Sequence, residues 1–129
     1  MKKLILFIIP LLLNLLSCKS SEVSPAQLEG SKWKLTRITN ESYVLPYCQN
    51  DNNAIWEFKN GKILQSPHSS CFDYFIGDYT LEGSTLIVDT AYKTNDRIDI
   101  SITGNTMILV QHVSITGYKY DLNLYFTKQ

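Results

Sequence analysis

The sequence predicts an all-β domain of eight short antiparallel strands, closed as an up-and-down β-barrel, behind an N-terminal export segment. Three observations carry this expectation. Apolar residues recur at every second position in short runs from Trp33 to Phe126, the period of a half-buried strand. Turn signals separate the runs, Asn60-Gly61 and Gly104-Asn105 foremost. No run combines the 3.6-residue period with the length of an ordinary amphipathic helix. Consecutive hairpins with one apolar face must pack that face on a second sheet or curl into a barrel. At eight strands a barrel encloses its own side chains or one small ligand. A two-sheet sandwich is the alternative that the pattern allows.

The domain is organised around Leu28-Glu29-Gly30-Ser31-Lys32-Trp33-Lys34-Leu35. Gly30 permits a sharp turn, and Trp33 and Leu35 then share one strand face while Lys32, Lys34 and Thr36 share the other. A tryptophan here is a large apolar plug for one end of a barrel. The first strand runs from Trp33 to Ile38, and a long loop follows from Thr39 to Asn53. Strand two, Ala54 to Lys59, places Trp56 and Phe58 together; the Asn60-Gly61 turn leads to strand three, Lys62 to Gln65. After a polar loop, strand four is expected from Phe72 to Leu81, with Phe75, Tyr79 and Leu81 in line and Gly77 at a bend.

Strand five, Ser84 to Asp89, faces Leu86 and Val88 inward. Strand six, Arg97 to Thr103, alternates Ile98, Ile100 and Ile102 against Asp99, Ser101 and Thr103. Strand seven is expected from Thr106 to His112, and Val113 to Gly117 connects it to strand eight. That last strand, Tyr118 to Thr127, sets Tyr118, Tyr120, Leu122, Leu124 and Phe126 on one face. The expected barrel lining is therefore Trp33, Leu35, Trp56, Phe58, Phe75, Tyr79, Leu86, Val88, Ile98, Ile100, Tyr120, Leu122 and Leu124, with Ile102 and Leu109 beside them.

The N-terminus reads as an address. Met1-Lys2-Lys3 is basic, and Leu4 to Leu16 is apolar apart from Asn14, with Pro10 in the middle. This run is shorter than the ~20 residues a spanning helix needs and fits a secretory signal. It ends in Leu15-Leu16-Ser17-Cys18, which resembles the bacterial lipobox. That resemblance implies cleavage before Cys18, a lipidated Cys18 anchored in a membrane, and an outer-membrane lipoprotein of a Gram-negative cell. Lys19 replaces the aspartate that commonly retains lipoproteins at the inner membrane. Multiple acyl chains anchor firmly, because each buried methylene contributes ~0.8 kcal/mol. The expected organisation is a signal peptide over 1–17, a lipidated cysteine and polar tether over 18–27, and the barrel over 28–129. Ser24-Pro25-Ala26-Gln27-Leu28 reads either as a short helical turn capped by Ser24 or as plain linker.

Composition excludes some functions. Without Lys2 and Lys3 the balance is 10 basic against 12 acidic residues, which offers no footprint for nucleic acid. With Cys18 assigned to lipid, an exported domain retains Cys48 and Cys71, most simply read as one disulfide. Closing such a loop stabilises by roughly 3 kcal/mol. His68 and Cys71 have no further soft ligand at metal-site spacing, so no metal or cofactor is expected. The carboxylates are scattered singly, and no GxSxG, HExxH, P-loop or dinucleotide fingerprint occurs. No catalytic role is expected.

Taken together, the Leu28-Gly30-Trp33-Leu35 opening, the loop from Cys48 to Asp51, Trp56-Glu57-Phe58-Lys59-Asn60-Gly61-Lys62 and Cys71 resemble the lipocalin-like domain of bacterial lipoproteins, within the calycin group. Ile76-Gly77-Asp78-Tyr79-Thr80-Leu81-Glu82-Gly83-Ser84-Thr85-Leu86 and the tyrosine-rich last strand extend the resemblance. It implies a small apolar or amphipathic ligand held in the barrel. Two features depart from the family: Gly30 and Trp33 are separated by two residues, and Lys128 is the one cation available where the family packs an arginine over the tryptophan. Bulky inward aromatics also fit a filled barrel that acts on a protein partner through its loops, where Tyr43 and Tyr47 lie.

Overall fold

In the computed structural model, which describes residues 22–39 and 53–129, a helical turn α1 (Pro25–Leu28) leads into a single closed sheet. Its strands are β1 (Lys32–Thr39), β2 (Ile55–Lys59), β3 (Lys62–Ser66), β4 (Gly77–Glu82), β5 (Thr85–Asp89), β6 (Asp96–Thr103), β7 (Thr106–Ile115) and β8 (Tyr118–Lys128). Each strand is antiparallel to its predecessor, and β8 pairs back on β1 from Trp33 opposite Lys128 to Thr39 opposite Asn123. The chain is thus an eight-stranded up-and-down barrel, as its alternation and turns predict, and not a sandwich.

Local chemistry sets the register. Asn60 and Gly61 both take positive φ, 53° and 70°, so β2 and β3 meet in a two-residue turn that places Phe58 opposite Ile63 and Trp56 opposite Gln65. A bulge between Leu35 and Arg37 shifts β1 by one residue against β8. Leu35 and Ile38 are therefore both buried although strict alternation would separate them. The Thr36 hydroxyl donates to the Tyr125 carbonyl at 3.0 Å beside this bulge.

Two boundaries differ by several residues from the sequence expectation, and one side chain faces the other way. Strand β4 begins at Gly77, not Phe72, because Phe72 ends a 3₁₀ turn (Ser70–Phe72) and its ring, like that of Phe75, turns into the core. At Gly77 the chain passes so close to β5 that a β-carbon would lie 2.0 Å from the Asp89 carbonyl oxygen. Strand β7 continues past His112 to Ile115, so β7 and β8 form the longest hairpin, ending at Thr116-Gly117. Tyr118, expected on the inward face, lies at the hairpin tip and is 65% exposed.

Of the residues expected inside, Trp33, Leu35, Trp56, Phe58, Phe75, Leu86, Val88, Ile98, Ile100, Leu109, Leu122 and Leu124 are buried, and Tyr79, Ile102 and Tyr120 are partly buried against them. Val23, Leu28, Ile38, Ala54, Ile63, Phe72, Met107 and Phe126 complete the core. Val23 and α1 lie in the stretch read as tether or helical turn; Ser24 precedes the helix in extended conformation and its N–H donates to Gln27 Oε1 at 2.8 Å.

Candidate functional site

The meander places three two-residue turns at one end of the barrel, and its longer connections with a fourth two-residue turn at the other. At the first end lie α1, the turns at 60–61, 83–84 and 104–105, and the C-terminus. This end is sealed. Leu28 is fully buried; the Ser31 hydroxyl donates to the Leu28 carbonyl at 2.5 Å and accepts from Trp33 Nε1–H at 2.6 Å. Lys128 Nζ sits over the Trp33 ring, 5.9 Å from its centroid. Gly30 N–H donates to the Phe58 carbonyl and Phe58 N–H to the Ser31 carbonyl, which stitches the opening segment across β2.

Glu29 binds the neighbouring hairpin to this seal. One carboxylate oxygen accepts from Asn60 N–H at 2.5 Å, and the other accepts from Gly61 N–H at 3.4 Å and from the Tyr79 hydroxyl at 2.8 Å. The Tyr79 hydrogen bond first, then the Asn60 N–H, hold the Glu29 carboxyl below its ordinary pKa. Partial burial, then the Glu29 carboxylate, push the Tyr79 phenol up.

At the second end β1 finishes and β2 begins, and the described connections there are 67–76, 90–95 and the tip at 116–117. Here polar side chains fall in the inward phase of the strands. Gln65 shares its face with buried Ile63 and stands opposite Trp56. Asp96 shares its face with Ile98 and Ile100 and is 5% exposed. Gln111 follows Met107 and Leu109 in phase on β7 and stands opposite buried Leu122.

These polar groups are in two conditions. Asp96 is satisfied: Lys93 Nζ lies 2.5 Å from one oxygen and Gln111 Nε2 donates to the other at 2.8 Å. In contrast, Trp56 Nε1 and both amide atoms of Gln65 are buried with no hydrogen-bond partner among the described residues. The Trp56 ring packs on Phe126 at 4.8 Å, Phe75 at 5.6 Å and Phe72 at 5.8 Å between centroids. On the rim, Tyr74 and Tyr92 from successive connections lie 5.1 Å apart and stay exposed.

A further cluster lies on the outer wall. His112 on β7 is bracketed by Asp121 of β8, 2.6 Å from Nδ1, and Asp99 of β6, 2.8 Å from Nε2. The Asp99 hydrogen bond, then that of Asp121, raise the imidazole pKa above its ordinary value. With its two nitrogens aimed at separate carboxylates, the ring cannot share one metal ion with both; among the described residues no group of three His, Cys, Asp or Glu side chains could hold a metal.

Cys18 and Cys48, expected as lipid anchor and disulfide partner, lie outside the described residues, whereas Cys71 sits in the 3₁₀ turn, partly buried against the core. His68 turns to Asp73 at 3.0 Å. The sequence reading missed Gln65, Asp96 and Gln111 as inward groups. Their signal is a polar residue in the apolar phase, as in Ile63-x-Gln65, Asp96-x-Ile98 and Leu109-x-Gln111.

Fold and site together define a small closed β-barrel with one sealed end and one end carrying polar inward groups. No protein-family model, curated protein or solved structure matches the chain.

Proposed function

We propose that the chain is a non-enzymatic, membrane-anchored lipoprotein of lipocalin-like kind that binds a small apolar or amphipathic ligand through the loop-bearing end of its barrel. The observation that supports this most is the contrast between the ends. One is sealed by Leu28, Trp33 and Lys128, while the other turns polar side chains inward among aromatic ones. Apolar walls with a few convergent polar groups are the usual make-up of a small-molecule site. In the same proposal Cys18 carries the lipid that holds the protein in the outer membrane, and Cys48 and Cys71 form a disulfide that ties the first long loop to the 3₁₀ turn.

The test is native mass spectrometry of the chain from Ser20 onward, which keeps every described residue, purified without detergent or added lipid. Excess mass that disappears on delipidation supports the carrier. A bare mass, with no thermal stabilisation across a panel of lipids and small apolar molecules, refutes it. In intact cells, Cys18→Ser should release the protein from the membrane fraction.

A second reading has its own support. The close packing of Trp56, Phe72, Phe75 and Phe126 suits a filled barrel, and the exposed Tyr74–Tyr92 pair suits a protein-contacting rim. In that reading the loops bind a protein partner and the barrel serves as scaffold.

A further inference from the structure

We infer that the inward pair Trp56 and Gln65 is a head-group site for an uncharged alcohol or carboxamide carried on an apolar tail. This rests on the carrier reading and specifies the chemistry of its ligand. Buried donors and acceptors in proteins are nearly always paired, yet Trp56 Nε1, Gln65 Nε2 and Gln65 Oε1 are buried and have no partner among the described residues. The two residues stand directly opposite each other on β2 and β3, and such cross-strand neighbours have β-carbons about 4.5–5.5 Å apart. One small polar group can therefore meet both.

The donor inventory narrows that group. Trp56 offers one N–H, and Gln65 offers an NH₂ and a carbonyl oxygen. The complementary head group accepts from the indole or amide N–H and donates to the Gln65 carbonyl, as an alcohol or carboxamide does. A carboxylate has no hydrogen to donate at neutral pH, and it would need a cation nearby when buried. Among the described residues the inward charge near this end is Asp96, and Lys93 and Gln111 already compensate it. The surroundings of the pair are apolar: Phe58, Ile63, Phe72, Phe75 and Phe126. The rings of Phe72 and Phe75 cover Trp56 from the connection between β3 and β4, so a ligand reaches the pair by displacing that connection.

The experiment titrates 1-decanol, decanamide and decanoate at pH 7.5 into the chain from Ser20 onward, by calorimetry and intrinsic tryptophan fluorescence. The inference expects decanol and decanamide to bind at least about tenfold more tightly than decanoate. Gln65→Leu should shrink that preference to under about twofold while tail binding survives, because a site built to pair a polar group loses discrimination when its own polar group goes. Trp56→Phe keeps ring bulk, removes one donor, and should weaken decanol and decanamide more than decanoate. Equal binding of all three ligands, or a preference that both variants retain, overturns the head-group site and leaves the carrier standing. Absence of binding by all three, together with a bare native mass, overturns the carrier and this inference with it.

Discussion

Two buried tryptophans on neighbouring strands differ in one respect: the Trp33 indole is paired, and among the described residues the Trp56 indole is not. Ser31 links the Leu28 carbonyl to the Trp33 indole, whereas the Trp56 indole and the Gln65 amide have no partner among the described residues. Both tryptophans are buried and stand opposite each other in the β1–β2 register. Their surroundings, not their burial, make them different. A paired buried indole contributes to stability, whereas an unpaired one costs stability.

That contrast can be broken in order of expected size. Trp33→Ala removes the plug of the sealed end and should cost about 3–5 kcal/mol, the range for a buried aromatic, read as a lower urea midpoint. A loss equal to that of an exposed substitution would mean the end is not sealed by this ring. Gln65→Leu should have the opposite sign, raising stability by about 1–2 kcal/mol, since it replaces two unpaired buried atoms by apolar surface. If Gln65→Leu is instead destabilising, the amide has a partner in solution and the contrast collapses. Lys128→Ala should cost about 0.5–1 kcal/mol through the lost contact with Trp33, and Trp33→Ala should abolish that effect in a double-mutant cycle.

The smallest effects are in pH dependence, and the sealed end and the outer wall should slope oppositely. Glu29 has its pKa lowered, so its contribution is present above the ordinary value of 4.5 and is lost as pH falls through the folded value. Glu29→Gln should flatten this acid limb of the urea midpoint. His112 has its pKa raised, so its contribution is complete below 6.5 and is lost as pH rises through the folded value. His112→Gln should flatten that alkaline limb. Both groups are exposed, and salt should weaken both limbs.

Much of the fold was legible because a half-buried strand has a period of two and a two-residue turn has a narrow chemistry. Trp56 and Phe58, Leu86 and Val88, and Ile98 and Ile100 declared their face by alternation, and Asn60-Gly61 declared the hairpin between β2 and β3. The sequence predicts too long a β4 because Phe72 and Phe75 look like strand residues, and only their packing on Trp56 in the closed barrel shows that they reach the core from outside the strand. The bulge after Leu35 was equally hidden, since its evidence is the pairing of β1 with a strand at the far end of the chain. The candidate site was the least legible part. Gln65, Asp96 and Gln111 look like surface residues until the alternation of their neighbours is carried through them.

The sequence by itself determined the number of strands, their inward faces and the tight turns between β2 and β3, β4 and β5, and β6 and β7, because these depend on residues a few positions apart. Tertiary structure alone decided closure of the barrel by β1 and β8, the seating of Lys128 over Trp33, the bracketing of His112 by two strands' carboxylates, and the isolation of Gln65 with Trp56. Each of those needs a partner that only the packed barrel brings into reach, and whether a buried polar atom is paired is a property of its neighbours in space.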